Sequence, residues 1–195
     1  MTPKADKSLP MMLFKRRKDW EAWLDSNHDA STGIWLRMAK KTAGVQSISY
    51  DEALEVALCY GWIDSQKKRH DDAWFLQKFT PRGAKSIWSK INRERAQALI
   101  DRGQMHPSGL AAVESAKRDG RWDGAYDSPS RATVPADLQA ALDAHPKAKA
   151  FFATLNSRNR YAILFRLQTA KKEETRRRRV EEFIRMLEAH ETLYP

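Results

Sequence analysis

The residues with most to offer chemically are an aspartate two positions after an indole, and an arginine set between proline and glycine. They are Asp64 in CYGWIDS and Arg82 in FTPRGAKSIWSKIN. On an extended chain Trp62 and Asp64 share one face and Ile63 and Ser65 the other, so the carboxylate lies beside apolar surface and needs a donor. Arg82 could supply it, the nearby serines then serving only as caps and Trp62 and Trp88 as core. Alternatively Arg82 holds a ligand. Pro81 removes a backbone donor and ends a strand, and Gly83 permits a sharp turn. Ser86 or Ser89 would cap the next helix, whose first amides favour an anion. Arg82, Lys85, Ser86, Ser89 and Asn92 could then surround a phosphate or carboxylate, in a pocket that Asp64, Trp62 and Trp88 also line.

Other familiar chemistries lack their residues. There is no phosphate-binding glycine loop, no GxSxG elbow, no HExxH and no CxxC. His70, Asp71 and Asp72 are adjacent in a tight turn, where side chains diverge, and no second histidine is suitably spaced; no metal and no cofactor is expected. Cys59, the single cysteine, falls late in a helix, where a thiol is commonly buried. It excludes an intramolecular disulfide framework and fits a reducing compartment, so the cytosol is the expected location.

The elements that must position Asp64 and Arg82 follow from periodicity. Trp20, Trp23 and Leu24 fall at helical spacing. Beyond Gly33, Ile34, Leu36 and Met38 alternate with Trp35, Arg37 and Ala39 as one strand does. Ser49 and Glu52 form a capping box ahead of Ala53, Leu54, Ala57 and Leu58, with Gly61 as the stop. WIDSQKKRHDDAWFLQKFTP reads as a hairpin turning near His70–Asp72. A helix from Ser86 or Ser89 to Gly103 and another from Pro107 to Gly120 follow. Residues 120–134 collect glycine, proline, serine and aspartate and mark a boundary. After it every segment is helical, ending in the face Val180, Phe183, Ile184 and Leu187. The expected fold class is α+β: a mobile tail over 1–10, a small antiparallel sheet with helices over 11–130, and a helical part over 131–195.

A chain of 195 residues with 42% hydrophobic content is long enough for one core plus a smaller helical part. No apolar run approaches the roughly 20 residues that span a bilayer, and Met11–Phe14 is too short for a secretory core. The net charge of +10 raises nucleic acid as a partner. The densest basic run, KKEETRRRR from Lys171 to Arg179, is bracketed by glutamates, with Glu173–Arg177, Glu174–Arg178, Arg177–Glu181 and Arg178–Glu182 all at i,i+4 spacing. A helix laced with ion pairs is therefore preferred there to a nucleic-acid patch.

The runs ALCYGWIDS, FTPR, SIWSKIN, GQMHPSGL, AKRDGRW and AKKEETRRRRV together resemble the bacteriocin-protection family, also called the YdeI/OmpD-associated family, from about Trp20 to Leu187. The resemblance implies a bacterial protein linked by name to tolerance of antimicrobial peptides and to the cell envelope, and brings with it no settled enzymatic activity or cofactor. It adds Arg121 to the polar group Asp64, Arg82, Ser86, Ser89 and Asn92 as a place for a site; Gly83 stands where the pattern implies a second basic residue. The reading is a stress or bacteriocin-tolerance protein that binds a small anion near Arg82. The alternatives are nucleic-acid binding by the basic C-terminal helix, and an enzyme acting on a phosphorylated or carboxylated metabolite with Asp64 as acid or base.

Overall fold

The computed structural model describes residues 9–195. The tail expected over residues 1–10 falls outside the described residues except at its end, where the Pro10 carbonyl accepts from the Trp35 N–H at 2.9 Å. The chain forms two compact units: residues up to Ile87 with Asn92–Asp123, and Trp88–Ile91 with Gly124–Pro195.

The first unit is built on β1 (Met11–Met12), α1 (Arg17–Asn27), β2 (Ile34–Ala39), α2 (Tyr50–Cys59), β3 (Trp62–Arg69) and β4 (Trp74–Pro81), followed by most of α3 (Lys90–Asp101) and by α4 (Pro107–Arg118). The strands form one sheet in the order β1-β2-β4-β3. The sheet is mixed rather than wholly antiparallel, because β1 runs parallel to β2. The fold class is α+β.

Alternation in β2 buries Ile34, Leu36 and Met38 and leaves Trp35 and Arg37 partly exposed. The buried face continues into Phe79 of β4, and the Trp20 ring of α1 lies 5.8 Å from Phe79 and 6.3 Å from Trp62. Helix α2 starts at the expected capping box, Ser49 accepting from the Glu52 N–H and Glu52 from that of Ser49. It ends where Gly61 takes φ +75°, a conformation open to glycine at little cost. Helix α4 has Pro107 at its first position, and His106 caps it by accepting from the Ser108 N–H.

The second unit contains α5 (Ala136–Ala144), α6 (Pro146–Thr154), α7 (Ser157–Gln168) and α8 (Glu173–Glu188). One apolar cluster holds them together, with Leu138 and Leu142 of α5, Phe152 of α6, Ile163, Leu164 and Leu167 of α7, and Phe183, Ile184 and Leu187 of α8. The i, i+3, i+4 stripe of α8 is thereby buried.

The basic run at the start of α8 is anchored otherwise than expected. Of the four i,i+4 pairs, only Arg178–Glu182 forms among the described residues, at 3.5 Å. Arg176 instead makes a two-pronged bond to Asp137 at 2.6 and 2.8 Å and donates to the Leu167 carbonyl, while Arg179 donates to the Arg166 carbonyl. Those carbonyls lie in the last turn of α7, the negative end of its dipole, where the Ala170 N–H also reaches the Leu167 carbonyl at 3.2 Å.

Candidate functional site

The hairpin sets Asp64 opposite Phe79 on the face that meets the helices. There the carboxylate accepts from the Tyr50 hydroxyl at 2.8 Å, a residue of the first turn of α2. Burial and the Asp64 charge together push the Tyr50 phenol well above its ordinary value. The pair proposed between Asp64 and Arg82 does not form. Arg82 is held at the open end of the hairpin, where its N–H donates to the Gly61 carbonyl at 3.0 Å, and its guanidinium donates to the Ile87 carbonyl at 3.2 Å.

Ser86 closes the turn after Arg82 rather than opening a helix. Its hydroxyl accepts from the Gly83 N–H at 3.0 Å, and its own N–H donates to the Gly83 carbonyl at 2.9 Å. Helix α3 begins later, at Lys90. Arg121, buried, completes the anchoring of this turn. Its Nε bonds both Asp119 oxygens at 2.8 Å, Nη1 donates to the Ser86 carbonyl at 2.9 Å, and Nη2 to the Ser115 hydroxyl at 3.2 Å. The structure thus brings Arg82, Ser86 and Arg121 to one turn. Asp64 faces α2 instead.

Trp62 is core, its Nε1 donating to the His28 carbonyl at 3.1 Å and its ring set edge-on to Trp23 at 5.9 Å. Trp88 is equally buried. Trp88 and Ser89 belong to the second unit, where Trp88 O accepts from the Tyr126 N–H and Ser89 bridges Tyr126; Asn92 belongs to the first. No group of three or more metal-ligating side chains occurs among the described residues. No described helix is long and apolar enough to cross a membrane.

Two arrangements lay beyond the sequence reading. In the second unit, Pro129, Ala162, Tyr161, Phe165 and Tyr194 line a groove of about 620 Å³. Arg158 stacks 4.3 Å over the Tyr194 ring, and Arg166 lies 5.7 Å from the same ring. In the first unit, Tyr60 stacks on His106 at 4.7 Å, and His106 meets His28 edge-on at 4.7 Å. The Tyr60 phenol, desolvated and beside Asp25, is pushed up to about 12. The sequence signal for the groove was the repeat of arginine and aromatic at helical spacing in SRNRYAILFR. Periodicity alone marks that stretch as helical and no more.

Comparison with known proteins divides the chain in a similar place. Residues 12–112 match the family model described as Domain of unknown function (DUF8412), and residues 131–190 match the model described as Bacteriocin-protection, YdeI or OmpD-Associated. The resemblance read from about Trp20 to Leu187 is therefore narrower than expected. AKKEETRRRRV lies within the second match, ALCYGWIDS, FTPR, SIWSKIN and GQMHPSGL lie within the first, and AKRDGRW falls between them. No curated protein and no solved structure matches. The first match alone spans more than half of the chain, which therefore belongs to the DUF8412 family and carries a bacteriocin-protection, YdeI or OmpD-associated domain at residues 131–190.

Proposed function

We propose that the protein is a bacterial bacteriocin- or antimicrobial-peptide tolerance factor that works by binding a small anion with an apolar body. What supports this is the groove on α7, whose helix lies in the bacteriocin-protection match while Pro129 and Tyr194 flank it outside that match, and where two guanidinium groups meet the Tyr194 ring above an apolar floor. Its volume falls in the range typical of small-molecule sites, which combine apolar walls with a few placed polar groups. Arg158 has no carboxylate partner among the described residues, so its fork is available to a carboxylate or phosphate.

The turn at Arg82 is the second place for such an anion. Lys85, three residues on from Arg82, is exposed there with no ion pair among the described residues. A thermal-shift screen of alkyl carboxylates, alkyl phosphates, sulfate and phosphate separates the two. The groove reading expects an alkyl anion to raise the melting temperature of the parent and of Arg82→Lys but not of Arg158→Gln. Loss in Arg82→Lys alone would move the site to the turn, and no shift by any anion in the parent would end both readings. The biological role is tested by deleting the gene in its host and measuring survival against cationic peptides, with reduced survival expected.

A further inference from the structure

The face of the sheet turned away from α1 and α2 has a composition that neither family match explains. Arg37 of β2, Leu76 of β4 and Lys68 of β3 form one row across three strands. Trp35 and Lys78 are paired in the next row on one side, and Trp74 lies in β4 on the other. Lys68 Nζ sits 4.6 Å over the Trp35 ring and the Arg37 guanidinium 4.7 Å over the Trp74 ring. Leu76, between the two indoles, is only 8% exposed.

The Trp35–Lys68 contact fixes how these side chains lie. Their strands are separated by β4, so their backbones are about 10 Å apart laterally. The two side chains can meet only by lying across β4. The indole is therefore laid along the sheet as a platform, with the cation above it.

The strands give this face charge of one sign, while Asp71 of the hairpin turn accepts from the Ala73 and Trp74 N–H groups at 2.8 Å. The only carboxylate in β2, β3 or β4 is Asp64, on the opposite face and bonded to Tyr50. Arg37, Lys68 and Lys78 have no carboxylate partner among the described residues. They differ in this from Arg176 and Arg179 of α8, which are committed to Asp137 and to the end of α7.

We infer that this face binds single-stranded nucleic acid, with bases stacked on Trp35 and Trp74 and phosphates held by Arg37, Lys68 and Lys78. A base stacked on an indole replaces a weaker cation–π contact at an exposed ring, and the released cation then turns to the backbone phosphate. A duplex offers its base edges only to an element that enters a groove, whereas these cations and indoles all lie on strands of one sheet. An aromatic anchor for a bilayer interface must project into the headgroups. Indoles laid along the sheet suit bases better.

The test is fluorescence anisotropy of the full chain with a labelled oligothymidine of about 16 nucleotides, a length within the range such surfaces cover. It is run against salt, beside the matching duplex and vesicles of phosphatidylcholine with phosphatidylglycerol. The single strand is expected to bind more tightly than the duplex. Arg37→Gln with Lys68→Gln and Lys78→Gln should lower the log-log salt slope by about 2, at about 0.7 per lost phosphate contact. Trp74→Leu should weaken binding roughly ten-fold at unchanged slope, and Arg177→Gln with Arg178→Gln on α8 should change nothing. Each variant is first checked for the parent's melting midpoint, and the partly exposed cations provide an arm that tests the face even if the Trp74 variant unfolds. Absence of single-strand binding at low salt overturns the inference, as does equal duplex affinity insensitive to Trp74. Vesicle binding without oligonucleotide binding would assign the face to lipid instead.

Discussion

Every nitrogen of the Arg121 guanidinium has an acceptor, and one of those acceptors is the Ser86 carbonyl in the turn after Arg82. Arg121 thus ties the turn to the end of α4, and Arg82 secures the neighbouring Ile87 carbonyl. Arg121→Ala should lower stability by about 1–3 kcal/mol, because a buried acceptor would be left without its donor. In urea this should appear as a lower midpoint with an unchanged slope. Arg121→Lys should recover only part of the loss, since one ammonium cannot span three acceptors set in different directions. An unchanged midpoint in the alanine variant would show that the turn is held by other means. The chemical character of Asp64, Arg82 and Arg121 was legible in the chain, but their partners were not. Asp64 turns to Tyr50, and Arg82 to a carbonyl at Ile87, because the pleat directs Asp64 toward α2 while Arg82 lies past the end of β4, in the turn that leads to Ile87.

At the scale of elements, α2 and α4 come so close that a Cβ on Gly109 would lie 2.1 Å from the Cys59 carbonyl oxygen. The obstacle is backbone, which cannot rotate away. Gly109→Ala should therefore force the helices apart and cost about 1–3 kcal/mol or more, despite alanine's better helix propensity. A thermal melt that matched or exceeded the parent's would contradict the packing of this helix pair.

A second element-scale consequence concerns α8. The hydrogen bonds from Arg176 hold the Asp137 carboxyl below its ordinary range, outweighing partial burial, which acts the other way. Its folded pKa is thus depressed. The stabilisation is complete above the unfolded value of about 3.9 and fades as pH falls through the folded one. The difference in stability between parent and Asp137→Asn should be flat near neutrality and shrink in acid. Because the pair is partly exposed, it should not exceed about 1 kcal/mol. Denaturant melts from pH 7 to pH 3 measure it; a gap that widens in acid would reverse the sign. The periodic helices and the hairpin were readable from spacing alone. Strand β1 was not, since two residues carry no alternation, and neither was the use of Arg176 and Arg179. Spacing along one helix does not show which foreign carbonyls lie alongside it.

For the whole molecule, the excess of positive charge is distributed according to what each cation faces. On α8, Arg176 and Arg179 satisfy the end of a neighbouring helix, whereas Arg37 of β2 and Lys68 of β3 lie over indoles. A net charge of +10 on its own did not distinguish these uses. The tryptophans are distributed unevenly as well: Trp20, Trp23, Trp35, Trp62, Trp74 and Trp122 belong to the first unit and only Trp88 to the second. Trp20 and Trp23 stack at 5.3 Å with an interplanar angle of 15°, and Trp62 stands edge-on to both. Chromophores held so close share their excited states. Their transitions should split into an exciton couplet in the circular dichroism spectrum, overlapping the helical bands and distorting any helix content read from them. The couplet is also a signature of one unit alone, while the helical bands arise from both. Melting followed at the couplet and at the helical bands should coincide if the two units unfold together and separate if they do not, and Trp23→Phe should abolish most of the couplet while leaving the helical transition in place.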